Sequence, residues 1–142
     1  KEVFNGLIFV RVSAEEYDEN GLSIKDHIEY AKKLEEIGID FLDVSSGGVV
    51  DMSYNPYEGY QVPFARKIKQ NVSYPVGAVG LIKDCNYGEE ILQNNEADFI
   101  LIGRELLRNP NLIIQDAVKN NVEIETPYPL NRIYRTKRQY IK

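Results

Sequence analysis

The 142-residue sequence has the length of one ordinary domain, and its 43% hydrophobic and 27% charged residues are typical of a globular protein. This composition excludes an intrinsically disordered chain, and no apolar run approaches the roughly 18 residues of a membrane-spanning helix. The single cysteine excludes an internal disulfide and, with no secretory signal at the start, predicts a cytoplasmic protein with no membrane partner.

The formal net charge of −5 is unevenly distributed along the chain. All 22 acidic residues lie at or before Glu125, whereas five basic residues crowd the end. A basic segment without a nucleic-acid-reading motif is typical of a solvated or inter-subunit tail, so we expect no nucleic-acid partner. We predict one unit over residues 1–125 and a C-terminal extension over residues 126–142 that contacts another subunit.

Four apolar runs predict β-strands, and a helical pattern follows each of them. The predicted strands cover residues 7–12, 39–44, 76–79 and 99–102. The predicted helices cover residues 24–37, 62–71, 85–95 and 104–119. Ser23 is placed to cap the start of the first helix and Gly38 its end, and Asp84 is placed to cap the third.

Alternation of strands and helices at this spacing predicts a parallel sheet with right-handed crossovers. Both an open doubly wound sheet and part of a (β/α)8 barrel fit the order of elements. The glycine-rich first turn that a dinucleotide-binding sheet needs is absent, whereas arginine, serine and glycine residues gather at the C-terminal ends of the strands, as in barrels. The sequence therefore favours an α/β fold that is part of a barrel.

The last predicted strand turns directly into a helix at Gly103 and Arg104. A glycine, free backbone N–H groups at a helix start and a guanidinium at one point predict an anion site. Gly80 ends the preceding strand, and barrel enzymes often bind phosphate in the loops after their last two strands. We expect Gly80 to face the same anion.

Six segments follow one another in the order of a known family. They are FVRVSA (9–14), GIDFLDVSSGG (38–48), GYQVPFA (59–65), GAVGLI (77–82), GEEILQNNEADFILIGRELLRNP (88–110) and PLNRIY (129–134). Together they resemble the old yellow enzyme family, above all its bacterial NADPH dehydrogenase or ene-reductase branch. The resemblance covers the C-terminal half of that family's TIM barrel, the four βα units of strands 5–8.

The resemblance implies a site for flavin mononucleotide (FMN). Arg11 matches an arginine beside the pyrimidine edge of the flavin ring, where a cation stabilises the negative charge of the reduced flavin. Ser45 and Gly47 match positions that add contacts from the next loop.

The same resemblance places the FMN phosphate in the last two loops. Gly80, Gly103 and Arg104 match the family's phosphate-binding residues, where glycine admits the anion to the backbone and arginine offers a bidentate fork. Arg132 matches a C-terminal arginine that reaches a neighbouring subunit's active site.

The resemblance places no catalytic residue in this chain, because the family's proton-donating tyrosine and substrate-binding histidine pair belong to the first four units. For the complete enzyme the resemblance implies that NADPH or NADH reduces FMN, which then passes hydride to an electrophilic alkene such as an enone. We expect this chain to need a missing N-terminal half-barrel or a second copy, as a homo-oligomer. The alternative is a non-catalytic half-barrel that binds FMN or phosphate and self-associates.

Several residues also have simpler structural interpretations. Arg11 could pair with Asp43 rather than meet a flavin. Cys85 stands near a helix start, but without a histidine partner its thiol is expected to be incidental. His27 is expected to be a solvated helix residue, and Asp40 and Asp43, with no paired carboxylate or histidine, are expected to be structural. No residues have the spacing of metal ligands, so no metal is expected.

Overall fold

A computed structural model of the chain describes residues 3–51 and 56–125. Its strands are β1 (Phe9–Ser13), β2 (Phe41–Ser45), β3 (Val76–Ala78) and β4 (Phe99–Ile100). Its helices are α1 (Ile24–Ile37), α2 (Val62–Lys69), α3 (Cys85–Gln93), α4 (Arg104–Arg108) and α5 (Leu112–Lys119). The strands form one parallel sheet in the order β1-β2-β3-β4, which confirms the predicted series of strand–helix units. Among the helices within these ranges, none is both long and apolar enough to cross a membrane.

The core lies between one face of the sheet and the helices that follow the strands. Alternate strand residues on this face are buried: Val12, Leu42, Val44, Val76 and Ala78. The helices contribute apolar residues at helical spacing: Ala31, Leu34, Val62, Ala65, Ile68 and Ile91. Burial of these side chains is the main force that holds each helix on the sheet.

The opposite face of the sheet, here called the inner face, carries Phe9, Phe41 and Phe99. Their rings meet edge to face, with centroids 5.2 Å apart for Phe9 and Phe41 and 5.0 Å apart for Phe41 and Phe99. Gly77 makes room for this row, because a Cβ there would lie 2.6 Å from Phe41 Cζ and 2.5 Å from Leu101 Cδ1. In a closed barrel such a face is the packed interior, yet here Phe9 is 64% and Phe99 50% exposed.

The predicted helix caps are confirmed. The Asp26 carboxylate accepts a hydrogen bond from the backbone N–H of Ser23 at 2.9 Å, and the Asp84 carboxylate accepts one from the N–H of Tyr87 at 2.9 Å. Gly38 ends α1 in the left-handed conformation, with a φ of 84°.

The single helix predicted over residues 104–119 is wrong, because α4 and α5 are separate. Asn109, the residue before Pro110, has a φ of −133° and a ψ of 86°, which is outside the helical region. Proline has no N–H to donate and its ring disfavours helical geometry in the preceding residue, so the chain breaks there.

The expectation of a solvated His27 is also wrong. His27 is buried together with Ala31 and Leu34, which share its face of α1 at helical spacing. Its Nδ1 lies 3.1 Å from the carbonyl oxygen of Ser23, so the ring is held by the first turn of its own helix.

Candidate functional site

The loops after β3 and β4 enclose a small cleft at the C-terminal edge of the sheet. Its volume is about 80 Å³, and it is lined by Leu81, Ile82, Lys83, Leu101, Gly103, Arg104, Glu105 and Arg108. Three of these side chains are cationic, and Glu105 is bound to Arg108 at 2.9 Å. The surplus positive charge fits an anion, and the volume, far below the roughly 300–1,000 Å³ of pockets that enclose whole ligands, suits a phosphate-sized group.

Gly103 lines this cleft, and because it has no side chain its backbone is accessible from the cleft. A Cβ built on Gly103 has no atom within 4 Å apart from those of its own chain neighbours. The packing of the protein therefore does not require glycine here. Free space beside the backbone is what a phosphate-binding loop needs, so this position fits the phosphate of FMN.

Lys83 and Arg104 supply exposed positive charge around Gly103. Within the two described ranges neither side chain forms an ion pair. Both cations therefore keep their charge available to a ligand in the cleft. Lys83 was not among the predicted site residues.

The geometry of the loop after β3 requires a glycine at position 80. Its φ is 123°, and a Cβ there would lie 3.0 Å from the backbone nitrogen of Gln61. The Gly80 carbonyl also accepts a hydrogen bond from the Gly59 N–H at 2.7 Å. Glycine at this position is thus explained by the loop geometry, whether or not an anion binds beside it.

Arg11 lies on β1, directly opposite Asp43 on β2. Arg11 Nη1 is 3.3 Å from Asp43 Oδ2, and the two side chains are 60% and 10% exposed. The ion pair proposed as the simpler interpretation of Arg11 is therefore present. More than half of the Arg11 side chain nevertheless remains accessible at the sheet.

Of the two oxygens of the Asp43 carboxylate, only Oδ2 has a partner among the described residues. Its Oδ1 is buried and has no hydrogen-bond partner in the part of the chain that the structure describes. Burial raises the pKa of Asp43, and the opposing effect of the Arg11 charge does not overcome it.

The structure does not bring Arg11 together with Gly103 and Arg104. β1 and β4 are the two ends of the strand order, so three strand spacings, or about 14 Å across the sheet, separate Arg11 from β4, and the cleft lies beyond the end of β4. A small anion in the cleft cannot touch Arg11. Only an elongated ligand with an anionic end could reach both.

Ser45 and Gly47 hold the loop after β2 against β1. The Ser45 hydroxyl donates to the Val12 carbonyl at 3.2 Å. The Gly47 N–H donates to the Glu15 carbonyl at 2.8 Å, and the Gly47 carbonyl accepts from the Ser13 hydroxyl at 2.9 Å. These groups are therefore engaged within the protein, and a ligand contact here would come from atoms that face outward.

Gln61 is a buried residue of the site that the sequence analysis did not identify. Its Nε2 donates to the Ser46 carbonyl at 3.1 Å and to the Ser46 hydroxyl at 3.0 Å, and that hydroxyl lies 2.8 Å from the Tyr17 hydroxyl. Because Gln61 also packs against Gly80, it joins the loops after β1, β2 and β3. Its only sequence signal is a polar residue directly before the apolar start of α2.

The remaining candidates are structural or lie elsewhere. Burial raises the pKa of the Cys85 thiol, and neighbouring Asp116 acts in the same direction, so the reactive thiolate is disfavoured. Asp40 accepts a hydrogen bond from the Ile8 N–H at 2.8 Å, as a structural role predicts. Among the described residues no cluster of histidine, cysteine, aspartate or glutamate could hold a metal ion. Arg132 lies outside the described residues.

The chain is similar in sequence to bacterial proteins named NADPH dehydrogenase. It is 47% identical to the NADPH dehydrogenase of Bacillus velezensis over 94% of its length and 48% identical to that of Bacillus subtilis over 93%. The matched regions are 40% and 39% of those proteins, so the chain spans about 40% of the length of the curated relatives it matches.

A solved structure shares the fold. The histamine dehydrogenase from Rhizobium sp. 4-9 superposes with a TM-score of 0.67 at 24% identity, over 81% of this chain and 17% of that one. At this identity the likeness concerns the fold alone. With the sequence relatives, it confirms the prediction of half a TIM barrel.

The sequence pattern of one family covers nearly all described residues. The NADH:flavin oxidoreductase / NADH oxidase family matches residues 1–123. This match and the NADPH dehydrogenases confirm the predicted relationship, and with it FMN and NADPH as the cofactors of the family. The chain belongs to the NADH:flavin oxidoreductase / NADH oxidase family.

Proposed function

We propose that this chain is the FMN-binding half of an NAD(P)H-dependent ene-reductase, an enzyme that reduces activated C=C bonds. The observation that carries the proposal is the cationic cleft beside Gly103, whose open space the protein's own packing does not fill. The 47% identity to an NADPH dehydrogenase supports the same reading.

In this proposal the FMN phosphate lies against Gly103, with Gly80 in the neighbouring loop. Arg104 offers two parallel N–H donors to the phosphate, and Lys83 adds a point charge. Arg11 lies beside the pyrimidine edge of the ring, three strands away across the sheet, and Ser45 and Gly47 lie between. Bound FMN supplies the hydride-transfer chemistry, and these residues hold it and set its charge environment.

The groups that activate the substrate belong to another part of the barrel. We propose that a complementary half, either an N-terminal half-barrel or a second copy, supplies the proton donor and the carbonyl-binding residues for an electrophilic alkene. In the same proposal residues 126–142, including Arg132, contact another subunit, and the enzyme works in the cytoplasm.

Arg104→Ala is expected to weaken FMN binding by about tenfold or more, because a charge-assisted hydrogen bond to the phosphate is lost. The measurement is a titration followed by quenching of flavin fluorescence. Arg66→Ala is the matched control, since Arg66 pairs with Glu96 at 3.3 Å in another region and has no place in the cleft. A wild-type chain that binds no FMN, or equal losses in both variants, would contradict the proposal.

A second candidate is a non-catalytic half-barrel that binds FMN or phosphate and self-associates. The exposed aromatic row on the inner face favours it, because Phe9 and Phe99 gain free energy when covered. If FMN binds but NADPH does not drive reduction of cyclohexenone, this second function is supported over the first.

Association through the inner face has its own test. We expect the chain to elute as a dimer or larger species in gel filtration, and the double variant Phe9→Glu/Phe99→Glu to elute as a monomer. Tyr30→Glu, which adds the same charge to an exposed aromatic position on α1, should leave the elution unchanged. A wild-type monomer at micromolar concentration would rule out self-association.

A further inference from the structure

Asp43 is a buried carboxylate that the fold does not fully satisfy. One of its oxygens has no partner among the described residues, and the other meets only the half-exposed guanidinium of Arg11 at 3.3 Å. Removing a carboxylate from water is costly, and an ion pair shared with solvent returns little of that cost. An uncharged side chain of the same shape would therefore suit the folding of this sheet better than aspartate does.

The position of Asp43 nevertheless gives it control over Arg11. The two residues are directly opposite on neighbouring parallel strands, and the partner of Asp43 on its other side is Gly77, which has no side chain. The carboxylate therefore acts on Arg11 alone across the sheet. A free arginine side chain samples many conformations, and a carboxylate at this distance limits them.

We propose that Asp43 is a positioning residue for FMN that orients the Arg11 guanidinium and offsets part of its positive charge, and so sets the reduction potential of the bound flavin. This inference rests on the proposed function, since it requires FMN beside Arg11. A carboxylate that does not favour folding then has a reason to occupy position 43, because Asp43 acts on the cofactor through Arg11.

Asp43 and Arg11 are expected to shift the reduction potential of bound FMN in opposite directions, because their charges are opposite. Reduced flavin carries more negative charge than oxidised flavin, so positive charge nearby favours the reduced form. Asp43→Asn removes a negative charge and is expected to strengthen binding of reduced over oxidised FMN by about tenfold, which is about 30 mV for a two-electron couple. Arg11→Gln is expected to shift the same ratio in the opposite direction.

The test is the midpoint potential of FMN bound to the purified chain, measured by equilibration with a reference dye, together with thermal unfolding of the FMN-free protein. We expect a more positive potential for Asp43→Asn, a more negative one for Arg11→Gln, and an unfolding midpoint for Asp43→Asn equal to or above that of the wild type. Asp98→Asn is the control for loss of a carboxylate. Asp98 binds Lys69 and the Val76 N–H, so this variant should lower stability and leave the potential unchanged.

The outcomes separate the inference from the function on which it rests. An unchanged potential in Asp43→Asn, with FMN still bound, would overturn the role of Asp43 and leave the proposed function standing. An Asp43→Asn protein that unfolds at a lower temperature, or does not fold, would make the pair structural. A wild-type chain that takes up no FMN would overturn the proposed function itself.

Discussion

Leu42→Ala is expected to lower the free energy of unfolding by about 2–5 kcal/mol, one of the largest effects of any single substitution in this chain. Leu42 is fully buried on the helix-facing side of β2, a strand with neighbours on both sides. Truncation would remove its contacts and leave a cavity that the surrounding strands cannot close. A loss of this size is a large fraction of the roughly 5–15 kcal/mol that stabilises a typical domain.

The matched control is Leu107→Ala, which makes the same chemical change on α4. Leu107 is 83% exposed, so we expect a change within about 0.5 kcal/mol. Both values come from urea denaturation followed by circular dichroism, provided the slopes of the two transitions agree. Equal effects of the two variants would mean that the helix-facing side of the sheet is not the core of the folded protein.

The order of strands and helices could be predicted from the sequence because it depends on local patterns. Apolar runs, helix caps and glycine-containing turns each fix a few residues. The length of β4 could not be predicted this way, because the expected strand over residues 99–102 pairs only at Phe99 and Ile100. Its partner β3 ends at Ala78, whose carbonyl accepts the hydrogen bond of the Leu101 N–H at 2.9 Å, and the left-handed turn at Gly80 follows shortly after, so the pairing stops there.

The sequence does contain a signal for the break between α4 and α5, although the predicted helix ran across it. Pro110 stands in the middle of the expected helix, but the leucine pattern on both sides favoured a continuous one. A proline flanked by asparagines is stronger evidence than apolar spacing, because it removes a hydrogen bond and restricts the preceding residue.

The sequence predicted the part of the candidate site that lies within a single turn. It did not predict the residues that other loops contribute to the site. Gly103 and Arg104 are adjacent in sequence, so their combination at a strand–helix turn could be recognised from the sequence alone. Lys83 and Gln61 reach the site from other loops, and which loops meet is decided by the packing of the sheet. The cost of burying Asp43 likewise depends on its neighbours across the strands.

Gly103→Val is expected to weaken FMN binding by about 100-fold, since a branched side chain would occupy the space that the phosphate needs beside the backbone. The valine methyl groups would extend into the free space beside the backbone at Gly103, which is where this proposal places the phosphate. The packing should tolerate the added side chain, because a Cβ at Gly103 has no atom within 4 Å apart from those of its chain neighbours. Gly103→Ala should give an intermediate loss.

Gly88→Ala is the control, because it adds a Cβ in ordinary contact, 3.5 Å from two carbons of Ile100, at a buried position on α3 away from the cleft. FMN titration and thermal unfolding of all three variants separate a blocked ligand from a damaged fold. Loss of FMN binding with an unchanged unfolding midpoint in the Gly103 variants, and neither effect in Gly88→Ala, supports a phosphate against Gly103. FMN affinity that survives Gly103→Val would show that the phosphate does not occupy the free space beside Gly103.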